Sequence, residues 1–290
     1  MTVHQKNLRT ERVQHGLFLT AAALLIALGF AFWGTLGWGA LQFFLRHGLN
    51  RTILGLQYHP IKGQFGLLPF IAGSLAVTLI AVILAYPLAL SVAITATMVL
   101  PRRWLPKIRQ AVGSLAAIPS VIFGWWGLAM VVPLVRNLGG GSGFSLAAAG
   151  MVLAVMIIPT LSLLAIHAAM RVPERWVEGS LALGATPDQT LGRVVLQSIR
   201  APLAEAGIVA VGRALGETMA VQMVIGGQPF FPHSLLAPGA TLTSEILNDI
   251  GLLPPGAFGH RVLDVMALLL LVAMYGLVLL VERIGGREVG

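Results

Sequence analysis

Six stretches of this chain are apolar over the length needed to cross a lipid bilayer, and nothing else in the sequence limits the fold as strongly. A spanning helix takes about 20 predominantly apolar residues. The stretches lie at 17–45, 69–98, 111–135, 145–168, 203–225 and 264–282. Only 10% of the 290 residues are charged and 57% are hydrophobic, whereas soluble domains carry about 25% charged residues. Lipid offers no partner to a backbone amide, so each stretch must satisfy its own hydrogen bonds as a helix. The sequence therefore predicts an all-α polytopic membrane protein with six spans. The first stretch greatly exceeds a signal-peptide core of about 7–15 residues. It also runs past Trp33 and Trp38 without a small-residue cleavage site, and it reads as retained. Pro87, Pro119 and Pro159 fall inside predicted spans and are expected to bend them.

Basic residues orient the chain. One side carries Lys6, Arg9, Arg12, Arg102, Arg103, Lys107, Arg109, Arg171, Arg175, Arg193, Arg200, Arg283 and Arg287; the other carries Arg46, Arg51, Lys62, Arg136 and Arg261. Cytoplasmic loops hold the excess of Lys and Arg, so both termini are expected in the cytoplasm. Residues 1–16 read as a cytoplasmic tail and 17–290 as one transmembrane domain. The net charge of +8 is then a topology signal, not a nucleic-acid footprint.

Several chemistries find no support. There is no cysteine, hence no thiolate metal site or nucleophile. The seven histidines are scattered and form no His-Glu-x-x-His, so no metal site and no catalytic group is assigned. No Gly-Lys dipeptide occurs, which excludes the phosphate-binding loop of P-loop ATPases. The run 139–143, GGGSG, reads as a flexible outer turn.

Residues 169–202, AMRVPERWVEGSLALGATPDQTLGRVVLQSIRAP, are too polar to span. Pro173-Glu174 suits a helix start, Gly184-Ala185-Thr186-Pro187 breaks that helix, and Asp188 opens a second one. Composition alone leaves two readings: a hairpin lying on the membrane surface, or a docking element for a cytoplasmic partner. The spacing Glu178-Gly-Ser-x-x-x-Gly184, nine residues, then Val194-x-Leu196 resembles the loop signature of bacterial ABC importer permeases. Gly179-Ser180 stands where the family has Ala-Ala, and Gln197 where it has proline. "GRALGETMAV" (212–221), "GQFGLLPFIAGSLAVTLIAVILAYPLAL" (63–90), "LAAIPSVIFGWWGLAMVVPL" (115–134) and "TLTSEILNDIG" (241–251) resemble the phosphate-specific subgroup, its C-type permease more than its A-type. The similar region is about 63–285.

That resemblance implies a bacterial inner-membrane location and an assembly with a second homologous permease, two cytoplasmic ATPase subunits and an extracytoplasmic phosphate-binding protein. It implies that ATP is used by the partner ATPase and that this chain binds no cofactor. It also implies that Glu178, Gly184, Ala185 and Thr186 belong to coupling helices seated on the ATPase. A permease for another oxyanion, or an ion-coupled transporter or channel, are the alternatives.

Arg213 and Glu217 remain the most costly residues in the sequence. A charge at mid-bilayer costs about 2.5–3.5 kcal/mol on insertion scales. On a continuous helix an i, i+4 pair shares one face, although Arg before Glu is the weaker order. Gly212 and Gly216 beside them form a small-xxx-small pattern that lets another helix approach. The pair either neutralises itself at a helix interface or lines an anion's route, where a guanidinium fork suits phosphate oxygens. The resemblance implies the second; Glu217 would repel the anion, so its expected part there is to orient Arg213 or to latch the closed pore as a gate. Trp125 and Trp126 read as interface aromatics, Pro119 as a packing position, and Glu245 and Asp249 as part of an outer amphipathic segment that is exposed or meets the binding protein.

Overall fold

The computed structural model describes residues 3–139, 141–254 and 256–285. Among these, α1 (Val3–His47) is a single long helix. A short hairpin, β1 (Tyr58–His59) and β2 (Gln64–Phe65), follows, antiparallel with Tyr58 opposite Phe65. It is a small exception to the all-α expectation. Then come α2 (Leu68–Ile94), α3 (Leu105–Ala116), α4 (Ser120–Gly139) and α5 (Leu146–Met170). A helical hairpin follows, α6 (Glu174–Ala182) and α7 (Pro187–Ser198). The chain closes with α8 (Arg200–Gly216), α9 (Met219–Ile225), α10 (Leu242–Asp249) and α11 (Arg261–Gly285).

Five helical regions are long and apolar enough to cross a membrane: His15–His47, Leu68–Val99, Ser120–Gly139, Leu146–Met170 and Phe258–Ile284. The fifth predicted stretch, 203–225, is different. Its α8 meets the criterion only together with α7, from which it is bent by 64°, and it stops at Gly216 rather than running on to 225.

The predicted third span, 111–135, is also corrected. Residues 105–116 form a separate helix, and Pro119 is not inside a span. Its backbone, φ −57° and ψ 140°, makes it the residue before α4. A proline cannot donate to the preceding turn, and it biases the residue before it away from helical geometry. Here it divides two helices instead of bending one. Pro87 and Pro159, by contrast, lie within α2 and α5.

The centre is α2 packed along α5. Ala81, Ala85, Ala89 and Ala93 are at most 1% exposed and repeat every four residues on one face of α2. Small side chains let helix backbones approach where lipid provides no hydrophobic drive. Gly150 completes this seam, since a Cβ there would lie 2.5 Å from Ile80 Cγ2. The apolar side chains of residues 15–35 on α1 point outward, as lipid-facing residues do. Its other end is anchored by an aromatic cluster, with Phe43 stacked 5.0 Å from Phe258 and edge-on to Phe65 at 5.3 Å. At the opposite end of the bundle, Val195, Ile199 and Leu203 pack against Ala93, Ala96 and Ile166, seating the α6–α7 hairpin on the ends of α2 and α5.

Candidate functional site

The charged pair sits at a break. Gly216 is the last helical residue of α8, and Glu217 is extended, φ −72° and ψ 130°. Glycine gives a helix little support, about 1 kcal/mol less than alanine, so the local sequence favours a stop there. The continuous helix on which an i, i+4 pair would bridge therefore stops at Gly216, and Glu217 is the residue just past its end. Among the described residues no ion pair joins them, and the ion pair present is Arg102 with Glu174, 2.5 Å apart at the far end of the bundle.

Each member of the pair has a different surrounding. Arg213 lies in the last turn of α8 and is exposed, where a cation interacts favourably with the helix C-terminus. Glu217 is half-buried, and its carboxylate accepts the Ala220 amide at 3.1 Å. It thus caps the first turn of α9, whose amides have no intrahelical partner. The backbone carbonyl of Glu217 accepts a hydrogen bond from Thr243 Oγ1 at 2.9 Å. A narrow crevice adjoins the break, lined by Ser74, Thr78, Glu217, Thr241 and Thr243 together with apolar residues. Gly212 and Gly216 face α11, where added Cβ atoms would meet Met274 Sδ at 3.6 Å and Met274 Cε at 3.2 Å.

Helix α10 packs against this break. Thr241 and Ser244 form a capping box at its start, and the Leu242 amide donates to Ser74 Oγ at 3.0 Å. Glu245 and Asp249, expected on an exposed or partner-facing surface, are each 5% exposed. The Tyr58 hydroxyl donates to Asp249, and Asn248 bridges Gln222 (2.6 Å) to Glu245 (3.4 Å). Burial pushes the Glu245 carboxyl up to about 7, with the nearby Asp249 charge adding and the Asn248 hydrogen bond opposing. Burial likewise raises Asp249, against the Tyr58 hydrogen bond. Reading the sequence missed this buried cluster. Its signal was the Thr241-x-x-Ser244 spacing, which marks a structured helix start rather than a loop.

The hairpin residues lie at the other end. Gly184 adopts φ +84°, a conformation that costs any residue with a Cβ. Thr186 starts α7 with its side chain accepting the Gln189 amide and Gln189 returning the bond, and Pro187 occupies the first helical position. Ser180 Oγ and Thr190 Oγ1, 2.9 Å apart, tie the two helices. Glu178, Gly184 and Thr186 are exposed and Ala185 is half-buried. Trp176, Leu181 and Leu183 are 50%, 44% and 90% exposed, three apolar side chains open on an otherwise polar loop. The 64° turn into α8 is made at Ile199 with no proline at 197.

Residues 85–286 match the family of binding-protein-dependent transport system inner membrane components. The chain belongs to that family. Among its relatives is the probable ABC transporter permease protein YqgH of Bacillus subtilis strain 168, 36% identical over 98% of this chain and 94% of that protein. The phosphate transport system permease protein PstC of Xylella fastidiosa strain Temecula1 is 34% identical over 85% of this chain and 83% of its own length. Solved permeases share the fold. The bacterial alginate ABC transporter, in complex with its pentasaccharide-bound periplasmic protein, aligns over 96% of this chain and 97% of its own with TM-score 0.64 and 16% identity. The inward-facing MetNI methionine transporter aligns over 73% and 91% with TM-score 0.57 and 22% identity. This inner membrane component is thus a multi-pass transport subunit in its own right, not an enzyme.

Proposed function

We propose that this chain is a permease subunit of an ATP-driven importer of inorganic phosphate. The observation that carries this is its kinship, over most of its length, with phosphate transport permeases from distant organisms, among them a protein of Methanocaldococcus jannaschii at 32% identity. In this reading the chain crosses the cytoplasmic membrane six times, with α8, the break and α9 as the fifth crossing and both termini inside. A second homologous permease completes the pathway. Two ATPase subunits bind ATP, and an extracytoplasmic binding protein delivers phosphate.

The α6–α7 hairpin is the coupling element. What supports this is its exposed Trp176, Leu181 and Leu183 on a loop stiffened by a capping box and an interhelical hydrogen bond. Solvent-exposed apolar side chains grouped on such a loop suit a partner's cleft. Arg213 supplies the positive point on the anion's route: it is exposed at the broken helix and no carboxylate is paired with it among the described residues. Closure of the ATPases on ATP would move the hairpin, and α8 continues directly from it.

The test is reconstitution of the complete transporter in vesicles, with radiolabelled phosphate outside. ATP-dependent uptake that excess sulfate does not suppress is expected, and Arg213→Gln should assemble normally yet lose uptake at least about tenfold. Equal transport of sulfate would overturn the phosphate assignment. Uptake driven by an ion gradient without ATP would overturn the importer class.

A further inference from the structure

We infer that Thr243 is a positioning residue for transport, holding the break between α8 and α9 in place through its hydrogen bond to the Glu217 carbonyl. The inference rests on the reading of this region as part of the phosphate pathway, though not on the charge of Arg213.

In an unbroken helix the Glu217 carbonyl would accept the amide of Val221, and the Ala220 amide would go to the carbonyl of Gly216. Neither of these helical bonds is made here. The Ala220 amide is taken by the Glu217 carboxylate, and the Glu217 carbonyl takes the hydroxyl of Thr243, 26 residues further along the chain. The local segment supplies the first substitute itself. The second is imported from α10.

The direction of the hydroxyl is determined. The Ser244 amide donates to Thr241 Oγ1 at 3.2 Å. Thr241 Oγ1 and Thr243 Oγ1 are 3.1 Å apart, and Thr243 Oγ1 donates to Glu217. A hydroxyl has one proton to give. Since Thr243 spends its proton on Glu217, Thr241 donates to Thr243, and the chain runs one way from the α10 backbone to the break. Thr243 is 7% exposed, and the adjoining gap has no room for a water molecule.

The post that carries Thr243 is itself fixed at other points. The Leu242 amide binds Ser74 on α2, Asn248 receives Gln222 of α9, and Asp249 receives Tyr58 of the outer hairpin. Docked α10 thus supplies the Glu217 carbonyl with the donor that the interrupted helix does not give it. Loss of the hydroxyl removes that donor and unties the joint beside Arg213 and Glu217 from α10.

The experiment uses the assembled transporter in vesicles. Thr243→Val keeps the shape and removes the donor. It should assemble, lower the maximal phosphate uptake rate at least about tenfold, and leave the half-saturating concentration of loaded binding protein within about twofold. Thr243→Ser should restore uptake. Amide exchange over 216–222 should change in Thr243→Val while 146–170 stays unchanged. Thr52→Val is the control, since that buried hydroxyl bonds only locally, to the Gly48 carbonyl four residues back.

Normal uptake by Thr243→Val overturns the inference, as does failure of serine to rescue or an equal loss in Thr52→Val. If Thr243→Val does not assemble, Thr243→Ala carries the same expectation, and failure of both to assemble assigns Thr243 a purely structural role. Arg213→Gln measured in parallel separates the two claims. Normal uptake by Arg213→Gln with loss in Thr243→Val removes the charge assignment and leaves the positioning role standing; the converse pattern does the reverse.

Discussion

Replacing Glu217 by glutamine and by alanine separates its charge from its hydrogen bond. The carboxylate accepts the Ala220 amide at 3.1 Å and makes no ion pair among the described residues. A hydrogen bond to a charged group contributes about 1.5–3 kcal/mol, and loss of an N-terminal cap costs about 0.5–2 kcal/mol. About 2 kcal/mol is therefore at stake in Glu217→Ala. Glutamine keeps an acceptor oxygen, and a neutral acceptor is worth roughly half of a charged one, so Glu217→Gln should lose about 1 kcal/mol. At about 2 °C per kcal/mol for a chain of this size, the shifts in Tm are about 4 °C and about 2 °C. Differential scanning fluorimetry of the detergent-solubilised transporter measures both. Phosphate uptake should follow the same order: Glu217→Gln retains most of it, because the break keeps its geometry, and Glu217→Ala loses it. If Glu217→Gln is as inactive as Glu217→Ala with an unchanged Tm, the charge itself is what transport needs, and the capping argument fails.

Two further outcomes follow from groups elsewhere in the chain. Glu245 is raised from an ordinary 4.5 to about 7, so the folded state prefers its neutral form. Stability is full below pH 4.5 and declines as pH rises through 7, the difference amounting to about 3.5 kcal/mol at about 1.4 kcal/mol per pH unit. Glu245→Gln should flatten that decline and leave the protein more stable than wild type at alkaline pH, measured as Tm against pH; an unaltered slope would remove Glu245 as its source. Gly184→Ala places a Cβ at φ +84° and costs about 1–2 kcal/mol. Because Gly184 is exposed on the hairpin, the membrane domain should fold normally while copurification of the ATPase subunit falls; unchanged copurification would show that the hairpin turn is not a docking element.

Much of the architecture was legible in the sequence because it depends on length and local chemistry. Apolar runs of spanning length must become helices in lipid, and five of the six stretches overlap regions that are long and apolar enough to cross. The breaker Gly184-Ala185-Thr186-Pro187 does separate two helices, since a glycine free to take positive φ, a capping threonine and an N1 proline all act within a few residues. The errors came where two local rules compete. Pro119 could bend a helix or divide it, and it divides it. Gly216-Glu217 could continue a helix or end it, and whether it ends depends on who satisfies the freed backbone groups.

That answer lies far along the chain. Composition and periodicity determined a polytopic helical protein with a polar hairpin and two charges in its fifth apolar stretch. They could not show that Thr243 would reach back 26 residues to Glu217, or that Ser74 would anchor the α10 backbone from 168 residues away. Nor could they bury Glu245 and Asp249, because an amphipathic segment of eight residues looks the same whether its polar face meets water or a ring of hydroxyls and amides. A buried polar group needs a partner, and the sequence names only its own neighbours. Tertiary packing chose the partners, and so decided that Arg213 and Glu217 are two ends of a break rather than a pair on one helix.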